Sequence, residues 1–271
     1  MSFYTSLTGL KNAQTDLGVI SHNIANAETG GFKKSDTSFA DIVAVSVLTD
    51  PSLTMGIGSR VSSIKQSFSL GPIEQTGSAL DVAINGEGFF TMAAPGSGKV
   101  SVTRAGNFDM DENGYVVNNQ GDRLQVFPVD ANGVPTSTTT TIDALAPPTN
   151  TAGAAFSGIA VKNTGEVAAS YDDGTIVPIG VVAVAGFMSP TGLRQIGSAS
   201  WEPSGQSGAI QYGIPGNGRS GLLLSGALER SNVDIAEELV GLITAQRNFQ
   251  ANAKAIDTAT QISQSIINIR T

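Results

Sequence analysis

Few residues in this chain have the types and spacing to do chemistry. The best match is Asp109-Met-Asp111-Glu-Asn113-Gly114, continuing to Gln120. Oxygen ligands stand at the first, third and fifth places and glycine at the sixth, as in a calcium loop of the helix–loop–helix type. The twelfth place, where a bidentate carboxylate is needed, holds Gln120, and the flanks read as strands. The expectation is therefore a β-turn closed by Asp and Asn side chains. His22 is the only histidine, and it stands beside Asn23 on a helical pattern with no second donor. Gly86-Glu-Gly88 lacks the remainder of a dinucleotide fingerprint and leads into a strand. Ser189 and Ser204 lie near prolines without a nucleophile elbow. Asp172-Asp173 reads as a solvated turn, and Trp201 as a core or interface anchor. With no cysteine, disulfides, thiolate metal sites and a Cys nucleophile are excluded. The expectation is a chain that is not an enzyme, with no catalytic residue, no cofactor and no metal.

The elements that must position something are the two ends. Phe3, Leu7, Leu10, Ala13, Leu17, Ile20 and Ile24 recur at steps of three and four, and so do Ile235, Leu239, Leu242, Phe249, Ala253, Ile256 and Ile267. Each set is an apolar stripe on one helix face. The spacing predicts a first helix over 2–26 and a last helix over 232–269, capped by Ser231 or Asn232, with Asp234, Glu237 and Glu238 in its first turns. Gly30-Gly31 supplies a stop after the first helix, and Lys33 and Lys34 sit where cations suit its dipole. A helix of that second length favours a coiled-coil partner.

Between the ends, short alternating apolar runs separated by turn residues predict an all-β region. They include Leu80–Ile84, Phe89-Phe90, Val100–Arg104, Tyr115–Val117 and Val181–Val184. The expected class is α+β. Long terminal helices, 1–34 and 229–271, pack as a coiled-coil-like inner domain; 35–70 is an extended connector; 71–228 is a barrel- or sandwich-like β domain. Residues 131–155, with the Thr136 to Thr141 run and Pro147-Pro148, read as a low-complexity surface loop.

Charged residues make up 14% against a typical level of about 25%. Weak charge lowers self-repulsion and suits a protein that packs on copies of itself. A net charge of −8 with scattered Lys and Arg argues against nucleic acid. The start lacks the basic leader and apolar core of a secretory signal, and no apolar run approaches the ~18 residues needed to span a bilayer.

Three sets of motifs then carry a resemblance. At the start stand Leu17-Gly-Val-Ile-Ser-His-Asn-Ile-Ala-Asn26, Gly31-Phe-Lys-Lys34 and Phe39-Ala-Asp41. In the middle stand Leu80-Asp-Val-Ala-Ile84, Gly86-Glu-Gly-Phe-Phe90 and Arg104-Ala-Gly-Asn-Phe108. Near the end stand Ser231-Asn-Val-Asp234, Glu238-Leu-Val240 and Ala245-Gln-Arg-Asn-Phe249. In this order they resemble the bacterial flagellar rod and hook proteins, an axial family. The opening residues and the ending Ile-Ile-Asn-Ile-Arg270 resemble hook subunits in particular, with a distal rod protein as the alternative. A secreted β-rich adhesin would explain the Ser/Thr-rich middle but not the matched helices.

The resemblance implies a subunit that self-assembles into a helical tube, a flexible joint passing torque from the motor to the filament. Its implied partners are copies of itself, the distal rod, the hook cap, the hook–filament junction proteins and the type III export apparatus. Its implied place is the extracellular hook and basal body, reached without leader cleavage. The assembly residues would be the two stripes: Phe3, Leu7, Leu10, Leu17, Ile20 and Ile24, with Ile235, Leu239, Leu242, Phe249, Ile256 and Ile267. The hook resemblance also implies an outer domain inserted at 131–155, which this chain lacks.

Overall fold

The computed structural model describes residues 2–43 and 56–269. Residues 44–55 of the expected connector lie outside the described residues. The chain is α+β and divides into two compact units. One holds residues 1–27, 34–67 and 233–271; the other holds 28–33 and 68–232. No described helix is long and apolar enough to cross a membrane.

In the first unit, α1 (Ser2–Ala25) and α2 (Ile235–Ile269) pair with each other. Gly9 faces Asn252, Ile20 faces Gly241 and Asn23 meets Glu238, so positions rise along α1 as they fall along α2 and the pair is antiparallel. α2 starts later than the sequence suggests, because Asp234 caps it in place of Ser231 or Asn232. Its carboxylate accepts the N–H groups of Ala236 and Glu237, at 2.8 and 3.2 Å. Residues 35–70, expected as an extended connector, contain a long antiparallel pair: β1 (Ser35–Val43) with β2 (Gly56–Gln66). It lies along α1, tied by Asn12 donating to Ser59 Oγ at 2.7 Å and by Thr37 on Asp16.

The second unit is β-rich, and every strand pair in it is antiparallel. Its main sheet runs in the order Phe156–Val161, Glu166–Tyr171, Ile176–Val182, Arg123–Phe127, Phe89–Ala93, Val100–Thr103, Ser200–Glu202 and Arg194–Gly197. The strand Phe89–Ala93 shows why the sequence reads as a double-apolar run. Alternate side chains of a strand face opposite sides. Phe90 and Met92 enter a core with Ile84, Leu124, Val126 and Val182, while Phe89 enters a second with Val102, Phe187 and Trp201. Trp201 is fully buried and meets Phe89 and Phe68 edge-on, so it is a core residue.

The calcium-loop look-alike is a hairpin. Asp109–Met110 pairs with Val116–Val117, and the Asp111 carboxylate accepts from Glu112 N and Asn113 Nδ2. Residues 131–155 are less loop-like than expected. Ile142–Asp143 pairs with Gln125-Val126, Ala144 and Ala146 are buried, and Asp143 binds Arg123 and Gln125. Exposed positions are spread through the segment, among them 138–140, 147–149 and 151–153, together with Val134, Ile142 and Leu145.

Candidate functional site

Two features stand out as functional: the apolar surface of the helical unit and a buried ion cluster in the β-rich unit.

On the helices, Leu7, Leu10, Leu17, Ile20 and Ile24 of α1 are half-buried, as are Leu242, Phe249 and Ile256 of α2. Phe3, Ile235, Leu239 and Ile267 are exposed, Ile267 to 64%. The residues that are fully buried are small or polar: Ala13, Asn23, Glu238 and Ala245. Asn23 sits at the end of the seam where α1 stops and α2 begins. Its Nδ2 donates to Glu238 Oε2 at 3.2 Å and to the Ser35 carbonyl at 2.9 Å, and its Oδ1 accepts from Ser35 N at 3.0 Å. Burial raises the Glu238 carboxyl above its ordinary value, against the Asn23 hydrogen bond and the charge of Lys34.

The stripes thus reach the seam only in part. Tyr4, Val240, Ile243, Ile262 and Ile266, which the expected stripes omit, add to the exposed apolar surface. Ile235, Leu239 and Ile243 follow one another at steps of four on one α2 face. The pairing register brings Ser2 opposite a point about ten residues before the end of α2. That leaves roughly 15 Å of α2, with Ile262, Ile266 and Ile267, beyond the start of α1.

In the β-rich unit the motif residues converge. Residues 28–33 follow α1 in the chain and pack in this unit, and the dipole role expected for Lys33 is corrected, because its ammonium is buried against Glu229. Lys33 is fully buried. Its Nζ meets Glu229 Oε1 at 2.5 Å and the Ser69 carbonyl at 2.6 Å. Arg104 Nη1 reaches Glu229 Oε2 at 3.2 Å, and Nη2 reaches the Gly86 carbonyl at 2.8 Å. Its guanidinium carbon lies 5.3 Å from the Phe89 ring centre. Gly71 N–H donates to Glu229 Oε1 at 2.9 Å.

Desolvation pulls both cations below their ordinary values, Glu229 opposing it. Gly31 is required for the approach: its φ is +69°, and a Cβ there would overlap the Arg104–Ala105 backbone. Two cations share one carboxylate, so removing that carboxylate would strand both, at about 3–5 kcal/mol for a broken buried pair. Lys34, by contrast, stays half-exposed in the helical unit, 3.6 Å from Glu237.

The cluster was hidden in the sequence because Lys33 and Glu229 lie 196 positions apart. One signal was available: Glu229 shares an inward strand face with buried Ala227. A carboxylate at such a position needs a buried cation.

Among the described residues no group of three or more His, Cys, Asp or Glu is placed to hold a metal ion. Ser189 and Ser204 are held in turn hydrogen bonds with Thr191 and Gly192. The arrangement is built for holding chain segments and presenting apolar surface.

Comparison with known proteins agrees with that chemistry. Residues 3–33 match the family described as "Flagella basal body rod protein". Residues 83–169 match "Flagellar hook protein FlgE/F/G D1 domain", and 224–269 match "Flagellar basal body rod FlgEFG protein C-terminal". The chain is 34% identical to the flagellar basal-body rod protein FlgG of Bacillus subtilis, over 99% of this chain and 98% of that protein. It is 31% identical to FlgG of Borreliella burgdorferi, over 95% and 94%. It is 29% identical to the flagellar hook protein FlgE of Escherichia coli, over the whole of both chains.

Proposed function

The chain belongs to the flagellar rod and hook axial proteins, and from that premise we propose that it is a hook subunit that polymerises through its terminal helices into a torque-bearing tube. The observation that carries the reading is the helical unit's uncovered apolar surface, above all Leu239, Ile243, Ile262 and Ile266. Each such side chain contributes about 1.5–3 kcal/mol when buried. A contact between unlike surfaces that does not close on itself generates a helical filament. The other stripe residues, Phe3, Leu7, Leu10, Leu17, Ile20, Ile24, Ile235, Leu242, Phe249, Ile256 and Ile267, complete the surface by packing across copies or by holding α1 on α2. Partners are further copies, the distal rod, the hook cap, the junction proteins and the type III export apparatus, with delivery to the cell exterior and no leader cleavage.

Hook is favoured by the opening and closing motifs. One observation favours the distal rod instead. The Bacillus subtilis FlgG alignment spans 280 positions, close to the 271 residues of this chain, whereas the Escherichia coli FlgE alignment spans 412. Electron microscopy of concentrated protein tests the polymer: the absence of tubes would sink it. Immunogold labelling of isolated hook–basal bodies decides the place, curved extracellular hook against straight rod.

A further inference from the structure

One carboxylate gathers three separate stretches of the β-rich unit. Glu229 Oε1 takes Lys33 Nζ and the Gly71 N–H, Oε2 takes Arg104 Nη1, and the Glu229 carbonyl takes the Gly31 N–H at 2.8 Å. Lys33 also holds the Ser69 carbonyl, and Asn232 Nδ2 reaches Ser69 Oγ at 2.9 Å. Segments 28–33, 68–71 and 229–232 are where this unit's chain runs out to the rest of the molecule. All three are bound to Glu229 or to one another. Arg104 then joins Glu229 to the sheet interior through the carbonyls of Ile84 and Gly86.

Resting on the tube-subunit reading, we propose that Glu229 is the anchor at which mechanical load enters the β-rich unit. The backbone alone would hold poorly here. Ile73–Gln75 pairs with Ala227–Glu229 over only three positions, and so short a ladder peels one pair at a time. The cluster cannot peel. Lys33 and Glu229 are fully buried, so separating them strands charges in a dry site. A pull on any one of the three segments is shared by the other two and by the sheet.

The test places full-length Glu229→Gln in cells whose own copy is deleted, beside wild type and Val126→Ala, a truncation in the sheet core. Swimming is scored in media of rising viscosity, and hydrogen exchange is measured on purified tubes. Glu229→Gln is expected to swim in dilute medium and to stop in viscous medium. Its Gly31 and Gly71 amides should exchange roughly a hundredfold faster or more. Val126→Ala should show neither change. Equal viscous swimming by the two variants, or wild-type exchange at both glycines, would overturn the anchor. If Glu229→Gln does not assemble, Lys33→Met takes its place, since it leaves Arg104 and Glu229 as a balanced pair. The same loss in viscous medium and faster Gly31 exchange are expected, and normal swimming overturns the proposal. Failure of the wild type to build tubes sinks the subunit reading instead, and is told apart because the comparison starts from wild-type tubes.

Discussion

The helical unit and the β-rich unit use their apolar residues in opposite ways. In the β-rich unit Phe90, Met92, Leu124, Phe127 and Trp201 are wholly covered, and even the ions are sealed inside. Among the described residues of the helical unit the buried ones are Ala13, Asn23, Ala27, Glu238 and Ala245, while Leu239, Ile243 and Ile266 face outward. The β-rich unit seals its largest side chains in its cores, although Ile176, Met188 and Leu222 stay exposed. The other seals only small and polar residues at its helix seam and leaves its large apolar side chains half-buried or exposed. A polar pair at a helix seam fixes register at some cost in stability. The contrast is one of degree: among the described residues the helical unit seals none of its large apolar side chains, whereas the β-rich unit seals many.

The strongest attempt to break this contrast is Trp201→Ala. It empties a sealed core and is expected to cost about 3–5 kcal/mol, read as a large drop in the melting temperature of the β-rich unit. Unchanged melting would mean that this core is not what holds the unit. Next comes Leu239→Asp. On an exposed position it should shift monomer melting by no more than ~0.5 kcal/mol, yet block polymerisation, because a buried carboxylate without a partner is costly. Sedimentation of the variant at concentrations where wild type forms tubes checks it, and normal tubes would place the interface elsewhere.

A smaller effect belongs to Glu238. Its folded-state pKa is raised by burial, so its contribution is present below the ordinary carboxylate range and is lost as pH rises through the raised value. The groups around it are Asn23 on α1, Lys34 and Asp36 at β1, and Glu237 on α2. Exchange protection of α1 in the monomer should therefore fall as pH rises above the ordinary carboxylate range. Glu238→Gln should flatten that profile. The smallest effect is a graft: a small folded domain between Thr138 and Thr139 should leave melting and tube formation near wild type, since each doubling of loop length costs only about 0.6 kcal/mol. Lost tubes from a folded, exported graft would mark this loop as a subunit contact.

Both helices and most strands were legible in the sequence, because each needs only a local period. A step of three and four found α1 and α2 to within a few residues, and the Asn113-Gly114 turn was read correctly. What a face touches was not legible. The period placed Leu239 and Leu242 in one stripe, but only packing shows that the first is exposed and the second half-buried. Lys33 was misassigned for the same reason: its neighbours in sequence suggest a helix end, and its partner comes from the last strand. Residues 131–155 were read by composition, which could not reveal that Ala144 and Ala146 are pressed into the sheet.

The span between Lys33 and Glu229 also sets a schedule. The two are 196 positions apart, so the ion cluster cannot close until nearly the whole β-rich unit has been delivered. A contact of such separation forms late, after the loop between its ends has been organised. A chain that emerges first residue first would therefore hold its opening signature loose and soluble until the final strand arrives. The last long-range contact of the β-rich unit would thus form only as α2, the element that follows that strand, leaves.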